Sequence, residues 1–224
     1  VEILLRLGAT AVPAGRSDAF VPVDTEAIDD AQVRAVQALL DAAWPTDGPF
    51  DAVVSTDGDS DRPLILGVEP PPGGGAGPGR VRFFGGDLVG MVVAELLGAD
   101  AVVVPVSCND AVDRGALKGV VEPKTRIGSP YVIAGMAAAR DRGRKAVCGW
   151  EANGGFLTGT DLARGGRVLR ALPTRDAVLP ILGVLYAAAE RGEPVAALFD
   201  RLPRRFSRAA LLRRFPREAA RRIV

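Results

Sequence analysis

The sequence predicts an α/β protein with two consecutive mixed, mostly parallel sheets that helices cover in α/β/α layers. Short valine-rich apolar runs alternate along the chain with segments whose apolar residues recur at helical spacing. Glycine and proline punctuate these segments, and the 27 glycines and 17 prolines supply the turns between them. This alternation is typical of a parallel sheet covered by helices. A chain of 224 residues is long enough for two small domains.

In the first half of the chain, glycine, proline and a capping residue set the expected helix boundaries. Residues 1–7 have the pattern of a helix end, with Gly8 as its stop. Thr25 is expected to cap a second helix, which ends near Trp44-Pro45. The strands predicted in this half are 10–15, 50–56 (a buried strand), 63–69 and 80–85.

The second half repeats the alternation. Asp87 is expected to cap a helix that runs to Leu97 and stops at Gly98, and Ser129-Pro130 is expected to open another helix. The other predicted elements are a strand at 101–106, a short helix near 109–117, strand-like residues at 119–123, strands at 145–150 and near "FLTG", and a helix at 175–191 that stops at Gly192.

Composition excludes several classes of function. A net charge of +1 gives no basic field for nucleic acid, and the longest apolar runs are too short to cross a bilayer. The chain has no histidine, which removes the usual general base and the usual zinc sites. Cys108 and Cys148 lack metal-ligand spacing and are expected to be buried free thiols in a reducing compartment, the cytoplasm.

One short segment, "STDGDSDRP" at 55–63, concentrates negative charge. Asp57, Asp59 and Asp61 alternate along it, directly after a predicted buried strand, and Arg62 follows. A hard divalent cation would cancel their repulsion, and ligands that are all oxygen favour Mg²⁺. Arginine is suited to bidentate contact with phosphate, so the segment points to phosphoryl transfer.

Other interpretations of this segment remain open at this point. A calcium EF-hand fails, because that loop needs glycine where Arg62 stands and glutamate where Val68 stands. A haloacid dehalogenase-like phosphatase would use Asp57 as nucleophile and Asp59 as acid/base, but it leaves Asp61-Arg62 unexplained. A solvated acidic turn is the third alternative.

The string "DGDSDR" resembles the metal-binding loop of the α-D-phosphohexomutases, the phosphomannomutase and phosphoglucomutase superfamily, with Ser60 in place of the usual glycine. Further motifs keep the order of that family along essentially the whole chain. They are "LGATAVPAG", "GGDLVGMVVAELL", "KTRIGSPYV", "GWEANGGF" and "LPRRFSRAALLRRFP". The resemblance places a domain II-like unit at 1–84, a domain III-like unit at 85–192, and a linker with the start of domain IV at 193–224.

The resemblance also implies roles for individual residues. Asp57, Asp59 and Asp61 would bind Mg²⁺, whose site a phosphoserine oxygen completes, and Arg62 would contact the transferred phosphate. Glu151 corresponds to the glutamate that holds sugar hydroxyls. The resemblance implies four further substrate contacts, which are Asn153, Gly154, Arg126 and Gly128. Asn153 stands where the family usually has serine, and the alignment at Arg126 and Gly128 is looser. Gly155 stands where the family often has histidine, so the general base is either Glu151 or a group outside this chain.

The function that the resemblance implies is transfer of phosphate between C1 and C6 of a hexose phosphate, either mannose or glucose phosphate, through a phosphoserine and a bisphosphorylated sugar. The phosphoserine signature contains histidine, so we expect it on a first domain that this chain lacks, and we expect the fourth domain to be absent as well. The chain alone is then expected to be inactive. The alternative function is that of a non-catalytic fragment that binds sugar phosphates.

Overall fold

The structure, a computed structural model, describes residues 1–19, 23–209 and 214–223. Its helices are α1 (Glu2–Arg6), α2 (Asp30–Asp47), α3 (Gly86–Leu97), α4 (Ser129–Asp141), α5 (Val178–Arg191), α6 (Val195–Asp200) and α7 (Arg217–Ile223). Its strands are β1 (Ala52–Thr56), β2 (Pro63–Glu69), β3 (Arg80–Phe83), β4 (Ala101–Val103), β5 (Val147–Trp150), β6 (Phe156–Thr158), β7 (Leu162–Arg164), β8 (Arg167–Leu169) and β9 (Leu172–Asp176). Two 3₁₀ turns lie at Pro72–Gly74 and Asp110–Asp113.

The architecture is α/β, as predicted, but the prediction of mostly parallel sheets was wrong. The first sheet has the order β1-β2-β3, and both of its pairs are antiparallel. The second has the order β4-β5-β6-β9, in which only the β4–β5 pair is parallel. A six-residue connection between β1 and β2 is too short for the crossover that a parallel pair requires, so these two strands form a hairpin.

Several predicted boundaries differ from the structure. Residues 10–15 form no strand, and residues 119–123 contribute an isolated bridge, Val102 with Val121. The cap of α2 is Asp29, whose carboxylate accepts a hydrogen bond from the Gln32 backbone N–H while the Gln32 side chain accepts one from the Asp29 N–H. This capping box satisfies two backbone donors at once, which Thr25, four positions earlier, cannot do. Asp87 and Ser129 lie inside the first turns of α3 and α4, after the N-caps Gly85 and Gly128.

Other helix ends agree with the prediction. Gly98 after α3 and Gly192 after α5 both take the left-handed conformation that glycine favours at a C-terminus. The helix α2 continues through Pro45 to Asp47, slightly past its predicted end. Part of the linker-like sequence, residues 210–213, lies outside the described residues.

The main hydrophobic core joins the two sheets. Ile65 of β2 and Phe84 after β3 belong to the same buried cluster as α3, β4, β5, α5 and α6. The ring of Phe84 stacks on that of Phe199 in α6, with ring centroids 3.7 Å apart and planes 6° apart. Burial of rings of this size removes a large apolar area from water and fixes how the first sheet lies against the helices.

Two smaller clusters complete the interior. One packs α4 against β4 and β5, and the other packs α2 against the first sheet through Leu40. Both cysteines are buried and unpaired, as predicted, and burial raises the pKa of each thiol. Among the described residues, no helix combines the length and apolar character needed to cross a membrane.

Candidate active site

The acidic loop at 57–62 is the turn of the β1–β2 hairpin. The Asp57 N–H donates to the Arg62 carbonyl oxygen at 3.1 Å, which closes the loop. One carboxylate oxygen of Asp57, Oδ1, accepts hydrogen bonds from the backbone N–H groups of both Asp61 and Arg62, each at 3.1 Å. Asp57 therefore holds the loop in shape, and its second oxygen remains for other contacts.

The three aspartates converge. One oxygen from each of Asp57, Asp59 and Asp61 can be chosen so that all three lie within 4.8 Å of one another. Asp57 is 8% exposed, and Oδ1 of Asp61 is buried without a hydrogen-bond partner. Burial raises the pKa of Asp61 above its ordinary value, while the neighbouring guanidinium of Arg175 opposes that rise. A buried oxygen without a partner in an all-carboxylate cluster fits a hard cation such as Mg²⁺.

Arg62 lies beside this cluster. Its Nε is 3.6 Å from Oδ2 of Asp57 and 3.6 Å from Oδ1 of Asp61, close enough for ion pairing. Among the described residues, the same Nε is buried and has no hydrogen-bond partner. Arg62 is thus held beside the carboxylates by charge, without a hydrogen bond from this nitrogen.

Glu151 lies at the end of β5 and is 6% exposed. Its Oε2 accepts a hydrogen bond from the Ser129 hydroxyl at 2.9 Å. The loops at 57–62, 124–129 and 149–155 therefore meet. Ser129 links the second loop to the third, and Arg175 links the third to the first, with Nη1 3.4 Å from Glu151 Oε2 and Nη2 2.5 Å from Asp61 Oδ2.

Asn153 and Gly154 shape the loop that carries Glu151. Oδ1 of Asn153 accepts a hydrogen bond from the Gly155 N–H at 3.0 Å, so only the amide nitrogen of this side chain is left for a ligand. Gly154 has a φ of 90° and lies directly against Gly86 at the start of α3. A Cβ on Gly86 would lie 2.1 Å from the Gly154 nitrogen, so only glycine permits this backbone contact.

Arg126 and Gly128 lie near this region without joining the carboxylate groups. The guanidinium of Arg126 lies over the ring of Tyr131, 5.8 Å from its centroid, and the side chain is exposed. Within the described ranges, Arg126 forms no ion pair. Gly128 has a φ of 121° and caps α4, which places Ser129 toward Glu151.

Sequence reasoning missed three residues of the site. Arg175 on β9 is one of them, since an isolated arginine in a strand carries no motif. Thr25 is buried, and its hydroxyl donates to the Asn153 carbonyl oxygen at 3.1 Å. Glu26 follows it, and burial, together with the charge of Asp24, raises the pKa of its carboxyl group. The charges of Arg62 and Glu151 also act on Glu26, which is exposed at the surface next to the buried Thr25.

Comparison with known proteins assigns the class to which this fold and site belong. The phosphoglucomutase/phosphomannomutase alpha/beta/alpha domain III family matches residues 85–206. A phosphomannomutase of Sinorhizobium fredii is 43% identical over 198 residues, which are 88% of this chain and 38% of that protein. A phosphomannomutase of Salmonella muenchen is 41% identical over 202 residues, which are 90% of this chain and 38% of that protein.

Solved structures agree on the fold. A putative phosphomannomutase from Thermus thermophilus superposes with a TM-score of 0.54 at 22% identity, over 78% of this chain and 34% of that one. A phosphoglucomutase/phosphomannomutase family protein from Burkholderia thailandensis gives 0.50 at 19% identity, over 76% of this chain and 32% of that one. The chain belongs to the phosphoglucomutase/phosphomannomutase family. It spans about 38% of the length of the curated relatives that it matches.

Proposed function

We propose that this chain carries the metal-binding and sugar-binding loops of a phosphosugar mutase that acts on a hexose phosphate, either mannose or glucose phosphate. The observation that carries the proposal is the junction of two sites. The cluster of Asp57, Asp59 and Asp61 lies beside Arg62, and Arg175 joins it to Glu151. Family membership and relatives named phosphomannomutase support a mutase over the haloacid dehalogenase-like alternative.

In this proposal each group has a separate task. Asp57, Asp59 and Asp61 hold Mg²⁺, which when bound offsets the charge of the phosphate being transferred. Arg62 donates hydrogen bonds to that phosphate through its guanidinium. Glu151 accepts hydrogen bonds from hydroxyl groups of the sugar.

Four weaker contacts are part of the same proposal. The amide nitrogen of Asn153 and the backbone of Gly154 and Gly128 adjoin the sugar. Arg126 would reach the substrate only by leaving the ring of Tyr131, against which it lies.

The reaction proposed for the whole enzyme moves a phosphate between C1 and C6 of the sugar. A phosphoserine gives its phosphoryl group to the free hydroxyl, which forms a bisphosphorylated sugar, and regains a phosphoryl group from the other position. We place the phosphoserine and the domain that grips the substrate phosphate outside the 224 residues. The general base in this proposal is either Glu151, which is buried at the end of β5, or a group outside this chain.

The test measures binding and catalysis on the chain as it is. Calorimetry is expected to show Mg²⁺ binding that Asp57→Asn weakens at least about tenfold, because this change removes a ligand charge and disturbs the loop. Asp51→Asn, at an exposed position before β1, is the matched control and is expected to keep the affinity. Glucose 1-phosphate is expected to remain unconverted by the chain alone.

Two results would contradict this proposal. Release of inorganic phosphate from a sugar phosphate by the chain, abolished by Asp57→Asn, would establish the aspartyl-nucleophile phosphatase instead. Sugar-phosphate binding by the product of the complete gene, with no mutase activity in the presence of Mg²⁺ and a bisphosphorylated sugar, would establish the non-catalytic alternative.

A further inference from the structure

A single side chain bridges the two halves of the site. The guanidinium of Arg175 lies between Asp61, on the hairpin of the first sheet, and Glu151, after β5 of the second sheet. Its two terminal nitrogens are divided between the two carboxylates, 2.5 Å from Asp61 Oδ2 and 3.4 Å from Glu151 Oε2. The side chain is 27% exposed, so solvent screens this pairing less than it screens a surface ion pair.

The chain around Arg175 is arranged to place this side chain. The next residue, Asp176, accepts hydrogen bonds from the N–H groups of Val178 and Leu179 at 2.9 and 3.1 Å, which fixes the end of β9 to the start of α5. Because side chains alternate along a strand, Arg175 then points to the other side. The Arg175 side chain crosses directly over Gly155, which has no side chain to block it. A Cβ on residue 155 would lie 2.6 Å from Cδ and 2.9 Å from Cγ of Arg175.

The two oxygens of Asp61 have different surroundings. Arg175 holds Oδ2, while Oδ1 is buried and has no hydrogen-bond partner. A carboxylate that is fixed through one oxygen presents the other in a defined direction, and such supporting contacts orient the ligands of metal sites. The same guanidinium contacts Glu151, which also accepts the Ser129 hydroxyl. A movement of Asp61 is therefore transmitted to the loops at 149–155 and 124–129.

We propose that Arg175 is a positioning residue that couples the acidic loop to the loop of Glu151, so that a cation on the three aspartates fixes the place of Glu151. This inference rests on the proposed function, because it needs a cation site at Asp57, Asp59 and Asp61. It adds that the metal and sugar parts of the site respond together, although they lie on different sheets.

A simpler account makes opposite predictions. If Arg175 only balances negative charge, its removal leaves the cluster more negative and Mg²⁺ binds more tightly. If it positions Asp61, its removal weakens Mg²⁺ binding, by about 10-fold for a supporting contact of this kind. Arg175→Ala separates the two accounts by the sign of its effect. Gly155→Ala separates them without changing any charge, because the new methyl group displaces the arginine stem.

The experiment follows backbone amide signals by ¹⁵N NMR while Mg²⁺ alone is added. In the unchanged chain, the amides of 57–62 and those of Ser129 and Glu151 are expected to shift together with one midpoint. The spectra of Arg175→Ala, Arg175→Lys and Gly155→Ala are compared at Mg²⁺ concentrations at which the amide shifts of residues 57–62 show equal saturation of the metal site. The second group of amides is then expected to stay in place. Arg164→Ala, which removes a surface pair with Glu190, is the control and is expected to shift both groups.

Each outcome decides a different question. Joint shifts that persist in Arg175→Ala and Gly155→Ala, or tighter Mg²⁺ binding in Arg175→Ala, overturn the coupling role and leave the metal site intact. No shift of residues 57–62 in the unchanged chain overturns the metal site itself, and the coupling with it. Loss of Mg²⁺ binding in variants whose spectra remain folded supports the positioning of Asp61 by Arg175.

Discussion

The hydroxyl of Thr25 donates a hydrogen bond to the carbonyl oxygen of Asn153, 3.1 Å away and 128 positions later in the chain. Thr25 is 1% exposed, so this bond is formed in the interior. It ties the segment ahead of α2 to the loop that carries Glu151. Thr25→Val keeps the shape of the side chain but leaves the carbonyl unpaired, which we expect to lower the free energy of unfolding by about 1–3 kcal/mol in urea denaturation.

The matched control for this substitution is Thr10→Val. Thr10 is exposed and lies in a segment without regular structure, so the same chemical change is expected to alter stability by no more than about 0.5 kcal/mol. Equal losses for the two variants would show that the buried bond to Asn153 contributes nothing specific.

The contact of Gly86 with Gly154 leads to a second prediction. In Gly86→Ala, the added methyl group would lie 2.1 Å from the Gly154 nitrogen and 2.4 Å from its Cα, and backbone cannot move aside as a side chain can. We expect a loss of about 1–3 kcal/mol of stability, together with changed amide signals in the loop at 151–155. Gly119→Ala meets no atom within 4 Å and is the control. Unchanged signals at 151–155 in Gly86→Ala would argue against this backbone contact.

The backbone conformation of Ser60 leads us to expect that replacing it by glycine stabilises the protein. It adopts a φ of 63°, which costs a residue with a Cβ about 1–2 kcal/mol and costs glycine nothing. Ser60→Gly removes that strain. It also gives the unfolded chain more conformational freedom, which lowers the free energy of unfolding by about 0.5–1 kcal/mol. The net expectation is a small gain in stability, measured by thermal or urea unfolding. Ser55→Gly, in the middle of β1, is expected to lose stability instead, and a loss of the same size at Ser60 would contradict the strain argument.

Glu95 on α3 predicts a pH-dependent stability. Burial raises the pKa of its carboxyl group above 4.5, and the charge of Arg191 opposes this rise only in part. The folded protein therefore holds this proton more tightly than the unfolded chain does. This tighter binding of the proton adds to the free energy of unfolding. The contribution is fully present below about pH 4.5 and is lost as pH rises through the folded pKa.

Glu95→Gln tests this sign. The glutamine stays neutral, so the variant is expected to exceed the original chain in unfolding free energy at pH 7 and to converge with it at about pH 4, as measured by urea denaturation. Glu2→Gln, at an exposed position on α1, is the control for removing a carboxylate. A stability difference at Glu95 that is the same at both pH values would show that the effect does not arise from titration.

Much of the fold could be predicted because local chemistry decides it. Glycines 98 and 192 end their helices by adopting a conformation that other residues avoid, and apolar spacing marks the long helices. Strand direction is decided by partners far away in the sequence, so alternation alone led to a parallel sheet. The hairpin at 57–62 was nevertheless visible in the sequence, because only six residues separate β1 from β2.

The candidate site divides in the same way. Asp57, Asp59 and Asp61 form one contiguous motif, and the structure brings their carboxylates close together. Arg175 and Thr25 join the site through tertiary contacts, which one sequence does not reveal. Arg126 was proposed on a loose alignment, and the structure turns it toward Tyr131.

The stack of Phe84 on Phe199 bears on the order in which the protein is completed during synthesis. Phe84 follows the last strand of the first sheet, and its aromatic partner on α6 leaves the ribosome only after β1 to β9 have been made. Until then, the ring of Phe84 is without the ring on which it stacks in the folded protein. The packing of the first sheet against the helices is therefore completed only when α6 emerges.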